Sequence, residues 1–360
     1  NQAMKKILTA IAGLLITGNA VADIHVTSVP EFSGDTLTVA YVSLNDVMTK
    51  SRKDLTPVVK EEIIRPDFTI ATAGTEPMRF DLRFGNSRER FFANANDKIN
   101  VQLNNDGSMI ITGTPLLDQV ADLRNKLQGP MQAYAKALEN NDEAAAEAAD
   151  AAADKILADY VAANLTQPGA VWATLQMGDE ALLEYAPRLS GEATTCVLYP
   201  LLQNSVKRAE QRKEAEEKRQ NMAQNQVEAP DFNLPDLKGQ MVKLSDFKGK
   251  WVVLDFWGSW CPWCIKGFPG LKDTYQKYHG KLEIIGVDCN DPEANWRAAV
   301  KKYALPWVNV YNAKTSGGVL EDYGVMAFPT KILINPQGRI QKIYVGEDPE
   351  FYTDVEALVK

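Results

Sequence analysis

Two cysteines, Cys261 and Cys264, stand two residues apart in Trp260-Cys261-Pro262-Trp263-Cys264. On a helix, that spacing puts both sulfurs on one turn, close enough to form a small disulfide and to release it. If the first cysteine opens the helix, its thiolate is favoured, because the unpaired N–H groups and the helix dipole stabilise negative charge there. The chemistry this spacing suits is thiol–disulfide exchange. A structural zinc would need two more ligands. Only Cys196, Cys289, His25 and His279 remain, none of them paired at ligand spacing, so no metal is expected.

The elements that position the pair can be read around it. Trp251 to Trp257 is an apolar run of strand type, Gly258-Ser259 breaks it, and a helix is expected from about Cys261 to Tyr278. Asp255 lies between Leu254 and Phe256 inside that run. A carboxylate buried without a partner is unfavourable and its pKa rises, so Asp255 reads as functional rather than as an ordinary strand-end aspartate. Further strands are expected at Met241–Leu244, Leu282–Val287, Trp307–Tyr311, Lys331–Ile334 and Ile340–Val345, the last two joined by the turn Asn335-Pro336-Gln337-Gly338. Helices are expected at Pro292–Tyr303, with proline in the first turn, and at Glu350–Val359. The result is an α/β domain over 229–360, a mixed sheet with helices on both faces. Cys289 follows a strand at a carboxyl end of the sheet, where α/β sites gather. It reads as a buried, inert thiol, with a third redox cysteine as the alternative.

Upstream, residues 23–114 alternate in strand fashion, as in Thr36–Val42, Phe68–Ala71, Met78–Leu82, Ile99–Leu103 and Met109–Ile111, with turns at Gly34, Gly74, Gly85 and Asn104–Gly107. An antiparallel β-sandwich-like domain is expected, with Arg83, Arg88 and Arg90 on a solvated strand face. Residues 115–228 turn helical, with Ala133–Leu165 rich in helix formers. The mixed-charge run Lys207–Arg219 reads as a solvated helix face or a semi-rigid spacer. Cys196 reads as a buried apolar residue. Ala229-Pro230-Asp231-Phe232 marks the last boundary.

The 360 residues carry 39 Lys and Arg against 47 Asp and Glu, a net charge of −8. That balance argues against a nucleic-acid partner. Four cysteines are too few for a disulfide-stapled scaffold. Asn1-Gln2-Ala3 precede Met4 and are set aside as a tag remnant. Met4-Lys5-Lys6 is then a basic start, Ile7–Ile16 an apolar stretch too short to span a bilayer, and Ala20-Val21-Ala22 a small-residue cleavage pattern. Residues 1–22 are therefore expected to act as a signal peptide cleaved after Ala22, which makes the compartment oxidising and periplasmic.

Trp260-Cys261-Pro262-Trp263-Cys264 after a buried strand, Pro269 within the helix, and Phe328-Pro329-Thr330 before a strand together resemble thioredoxin. Ala229-Pro230-Asp231-Phe232, Leu244–Lys250, Asp255–Cys261 and Ile334–Gly338 resemble the TlpA/ResA-like extracytoplasmic group of that family. The resemblance covers about residues 228–360. The β-then-helical region before it looks like that of Bacteroidetes-type members. The resemblance implies a thioredoxin fold at the C-terminus and an enzyme without cofactor. Cys261, as the more exposed thiol, would attack, and Cys264 would resolve the mixed disulfide. Asp255 would carry protons to and from Cys264. Pro329 would be cis and Phe328 would lie beside the substrate, which pairs with the backbone there. Trp260, Pro262 and Trp263 would border the sulfurs as an apolar docking surface. The implied partners are protein disulfide or dithiol substrates and an upstream membrane or periplasmic electron donor. A homodimer through residues 23–228 is kept open.

A peroxiredoxin is disfavoured, because Gly258 stands where those enzymes place Thr or Ser. Pro262-Trp263 has no histidine to stabilise the Cys261 thiolate strongly, so a reductase is expected. An isomerase or oxidase, or a partner-binding protein whose dithiol is secondary, are the alternatives.

Overall fold

The structure, a computed structural model, describes residues 20–313 and 318–360. The expected signal segment Met4–Ile16 lies outside the described residues. Ala20–Ala22 open the first strand. No described helix is long and apolar enough to cross a membrane. The chain divides into two units between Ala209 and Glu210.

The first unit begins with eight strands and a short helix: β1 Ala20–Ser28, β2 Thr36–Ser43, α1 Leu44–Thr49, β3 Val58–Ile63, β4 Asp67–Ala73, β5 Met78–Phe84, β6 Ser87–Ala93, β7 Asp97–Leu103 and β8 Met109–Thr112. They form two four-stranded sheets, ordered β4-β1-β7-β8 and β3-β2-β5-β6. Alternation sends every second residue inward. Ile24 and Val26 of β1, Leu37 and Val39 of β2, Phe80 and Leu82 of β5, and Ile99 and Val101 of β7 therefore share one core. The expectation of a purely antiparallel domain needs correction: β1 pairs with β7 in parallel, Ile24 opposite Ile99. Their connection spans several intervening strands, a topology that local alternation does not reveal.

Helices α2 Pro115–Glu139, α3 Glu143–Ala163, α4 Pro168–Gln176, α5 Asp179–Tyr185 and α6 Tyr199–Gln224 follow. The alanine-rich run expected to be continuous is broken. Asn141 adopts φ 52°, and Asp142 caps the new helix by accepting the Ala145 N–H at 3.0 Å. Arg83, Arg88 and Arg90 are exposed, as expected of a solvated strand face, but Arg88 and Arg90 also reach a buried acid. Asp81 is buried, and it accepts from Arg88 Nη2 at 2.7 Å and Arg90 Nε at 3.0 Å. Arg79 Nε lies 3.1 Å from its other oxygen. Burial opposes the charge of Asp81, but the bonds from Arg88 and Arg90 outweigh it and hold the carboxyl below its usual pKa.

The second unit carries β9 Asn233–Pro235, β10 Met241–Lys243, β11 Trp251–Trp257, α7 Pro262–Lys277, β12 Leu282–Asp288, α8 Glu293–Tyr303, β13 Val308–Val310, α9 Val319–Asp322, β14 Thr330–Ile334, β15 Ile340–Val345 and α10 Glu350–Leu358. Its five-stranded sheet runs β13-β12-β11-β14-β15, with β11 parallel to β12 and antiparallel to β14. This is a thioredoxin-like arrangement. Two cores cover the sheet. Val253 and Trp257 of β11 pack with Cys264, Phe268 and Leu271 of α7. Val252, Leu254 and Phe256 pack on the opposite face with Ile285, Ile332 and Met222. Met222 belongs to α6, so the last turns of that helix are part of this unit. The charged residues of 207–219 form an exposed helix face, as expected, while Ala215 is buried and Lys218 Nζ donates to the Glu321 carbonyl at 2.7 Å.

Replacing Asp81 by Asn leaves three guanidinium groups without their shared counter-charge. Urea unfolding of the full chain at pH 7 is expected to show a loss of about 2 kcal/mol, below the range for a fully buried pair because Arg88 and Arg90 are part-exposed. The loss shrinks as pH falls below the ordinary carboxylate range, where the wild-type carboxyl protonates and gives up the same interaction.

Candidate active site

Cys261 is the N-cap of α7 and Pro262 its first residue, as proline's fixed φ and missing N–H suit that position. Cys261 and Cys264 are joined as a disulfide, Cα atoms 5.4 Å apart. The Cys264 N–H points at Cys261 Sγ, 3.2 Å away. The exposure difference expected between the two is slight: Cys261 is 3% exposed and Cys264 2%. The rim is open. Trp260 is 49% and Trp263 61% exposed. Pro262 is exposed, Phe328 half-buried and Pro329 buried. The Phe328–Pro329 peptide bond is cis. The Trp260 ring meets Phe328 edge-on at 5.3 Å between centroids. Phe328 thus joins the β14 approach to the dithiol loop.

The loop before Cys261 is held from the segment that follows β12. The Asp291 carboxylate accepts the Ser259 N–H at 2.6 Å and the Ser259 hydroxyl at 2.7 Å. The Trp260 indole N–H donates to the Cys289 carbonyl at 2.9 Å. Gly258 makes room for that fold-back: a Cβ there would stand 2.4 Å from the indole nitrogen and 2.9 Å from the Cys289 oxygen. Cys289 therefore reaches the loop through its backbone. Its thiol is fully buried, donates to the Val287 carbonyl at 3.3 Å, and is pushed well up in pKa by burial. Cys196 is half-buried, and burial raises its pKa as well. Asp288 is fully buried, and burial together with the neighbouring Asp291 pushes its pKa to about 9. It is neutral at pH 7.

Beneath the helix lies Asp255. It shares the β11 side of Val253 and Trp257, the side covered by α7. It is 1% exposed, and neither carboxylate oxygen has a hydrogen-bond partner among the described residues. Burial raises its pKa to about 6, Lys331 opposes the rise, and Glu347 adds to it. Lys331 faces Asp255 across the β11–β14 ladder. Its ammonium binds Glu347 Oε1 at 2.6 Å. Glu347, beyond the end of β15, reaches over α7 at Gly267, where a Cβ would stand 2.1 Å from that same oxygen. Sequence reasoning missed Lys331, Glu347, Asp288 and Asp291 as members of this site. The signals were a lysine opening an apolar strand and two aspartates flanking Cys289. No group of metal-ligating side chains forms a cluster among the described residues. The arrangement is a disulfide at a helix N-terminus, an exposed aromatic rim, and a buried acid on the strand below.

Comparison with known proteins meets this geometry. The AhpC/TSA family profile matches residues 226–343. The chain is 38% identical to the thiol-disulfide oxidoreductase ResA of Bacillus thuringiensis over 121 residues, 33% of this chain and 69% of that protein. It is 37% identical to ResA of Halalkalibacterium halodurans over 120 residues, again 33% of this chain and 67% of the relative. Among solved structures, the thioredoxin domain of a thiol-disulfide oxidoreductase from Bacteroides vulgatus aligns at 35% identity and TM-score 0.35, covering 38% of this chain and 97% of that one. The ResA relatives are matched over two thirds or more of their own length at 37–38% identity, and on that ground the chain belongs to the ResA/TlpA-like thiol-disulfide oxidoreductases of the thioredoxin family.

Proposed function

We propose that the protein is a periplasmic reductase of protein disulfides, working through the Cys261–Cys264 pair. The observation that carries the reading is the pair itself: a closed disulfide capping α7 above a buried carboxyl. The dithiol form starts the cycle. The Cys261 thiolate attacks one substrate sulfur, the substrate disulfide breaks, and one substrate thiolate leaves. Asp255 takes the proton of Cys264. The Cys264 thiolate then attacks Cys261 Sγ, which closes the enzyme disulfide and expels the second substrate thiolate. Two electrons pass to the substrate, and a dithiol donor on the membrane or in the periplasm restores them. Trp260, Pro262, Trp263 and Phe328 supply the apolar contact for the substrate chain, with Pro329 shaping the backbone beside it.

The periplasmic assignment rests on Lys5, Lys6, the apolar stretch Ile7–Ile16 and Ala20-Val21-Ala22. The reducing direction rests on Pro262-Trp263, which adds no charge beside the Cys261 thiolate. In the first unit, the single core drawn from both sheets supports reading them as the layers of a sandwich. That unit serves to hold a partner or a second copy.

Cys261→Ser is expected to abolish reduction of a protein disulfide, and equal rates would sink the enzyme reading. Cys264→Ala should instead accumulate mixed disulfides, visible on non-reducing gels. The reduction potential should fall below about −200 mV; a value near roughly −120 mV marks an oxidant.

Asp255 gives a pH test with a definite sign. The unfolded carboxyl ionises near pH 4, whereas the folded one holds its proton to about 6. Between those values the folded state binds more protons, so the contribution of Asp255 to stability falls as pH rises through this window. Asp255→Asn removes a destabilisation of about 3 kcal/mol above pH 6 and changes little at pH 4. Urea unfolding of the oxidised protein at pH 4 and pH 8 reads the difference. The same variant is expected to slow disulfide exchange at least about 10-fold, because Cys264 loses its proton acceptor.

A further inference from the structure

Within the second unit, the last turns of α6 run beside the segment that leads to the cis peptide bond. Ala215 backs directly onto Gly324, which adopts φ +63°: a Cβ there would stand 2.8 Å from the Ala215 carbonyl oxygen. Arg219 donates to the Gly324 carbonyl, and Lys218 to that of Glu321. Between helix and segment lies a groove of about 480 Å³. Its floor is apolar, from Leu320, Val325 and Met326, and its rim carries Glu214 and Glu321 against Lys218. Met326 is 46% exposed. It stands two residues before Phe328, so about 7 Å of backbone at most separates groove and dithiol rim.

We propose that this groove is a subsite for the polypeptide that carries the substrate disulfide. The inference rests on the reductase reading above and deepens it. The occupant is an extended segment two to four residues from the reacting cysteine, about 7–13 Å along the chain. One apolar side chain of it sits on Leu320, Val325 and Met326. A neighbouring cationic side chain faces Glu214 and Glu321, two carboxylates against the single Lys218 ammonium. Continuity carries the argument: Met326 belongs both to the groove and to the segment that delivers Phe328 to Trp260. The substrate surface thus extends from the sulfurs onto a helix lying outside the matched family stretch.

The test uses the full chain and three probes: 2-hydroxyethyl disulfide, and two synthetic disulfide-bridged peptides. One peptide carries Leu and Arg two to four residues from a cysteine, the other Ser and Glu. Each kcat/KM is divided by the same variant's rate with 2-hydroxyethyl disulfide. Wild type should prefer the Leu/Arg peptide by about 10-fold or more, mainly through KM. Glu214→Lys should cut that preference below about 3-fold, with Glu214→Gln between them. Gln211→Trp, which narrows the mouth of the groove, should depress both peptides relative to the small disulfide. Lack of preference in wild type, or preference surviving both Glu214→Lys and Gln211→Trp, overturns the subsite. Failure of the reductase reading shows separately, as Cys261→Ser rates equal to wild type on all three probes. Calorimetric binding of the reduced peptides to the oxidised protein then decides the groove without turnover: equal affinities overturn it.

Discussion

The Asp255 carboxyl is buried between a sheet and the helix that begins with the dithiol, and much of the second unit is arranged around that fact. A lone carboxylate in such a place is strongly unfavourable. Lys331 stands opposite it, itself only 1% exposed, but that ammonium is held by Glu347. With Asp255 protonated, the three groups sum to zero. With Asp255 ionised, one negative charge is left over in the core. The pair therefore moderates the pKa of Asp255 without returning it to the usual carboxylate range, and a value of about 6 results. Gly267 belongs to the same arrangement, because any side chain on α7 at that point would displace the Glu347 carboxylate.

A second constraint acts on the other side of the sulfurs. Ser259 is held twice by Asp291, and Trp260 by the Cys289 carbonyl. These bonds order the residues immediately before Cys261, so opening the disulfide need not loosen the rim. Trp260 packs near-perpendicular to Phe328. The rim is thus a preformed apolar ledge, and a preformed surface loses less entropy when a substrate chain settles on it.

Much of this site was legible because its chemistry is local. The strand, the Gly258-Ser259 break, both cysteines and Asp255 all fall within Trp251–Cys264, where alternation and spacing can be read directly. Lys331 and Glu347 were not legible in the same way. They come from β14 and from beyond β15, and only the antiparallel register of β14 on β11 brings Lys331 to Asp255. The same limit explains the first unit. Strand alternation was visible, but the parallel pairing of β1 with β7 depends on a long-range connection. Arg88 and Arg90 are exposed as expected, but their shared partner Asp81 stands seven and nine residues away in sequence on the neighbouring strand. Between α2 and α3 the alanine content hid a break at Asn141 and Asp142.

Helix α6 shows how a strongly charged, exposed run can also be tied to the sheet domain. The charged residues of its 207–219 run lie on an exposed face, as expected, while Ala215 and, further along the helix, Met222 turn inward. Long charged side chains then add hydrogen bonds from their tips while their stems cover apolar surface. The consequence is a division of labour within the second unit. The stretch matched by the AhpC/TSA profile, 226–343, holds the sulfurs, the buried acid and the rim. The segment that leads to Phe328 is braced by a helix that ends at Gln224, before that stretch begins. A change in α6 can therefore alter that bracing without touching Cys261, Cys264 or Asp255.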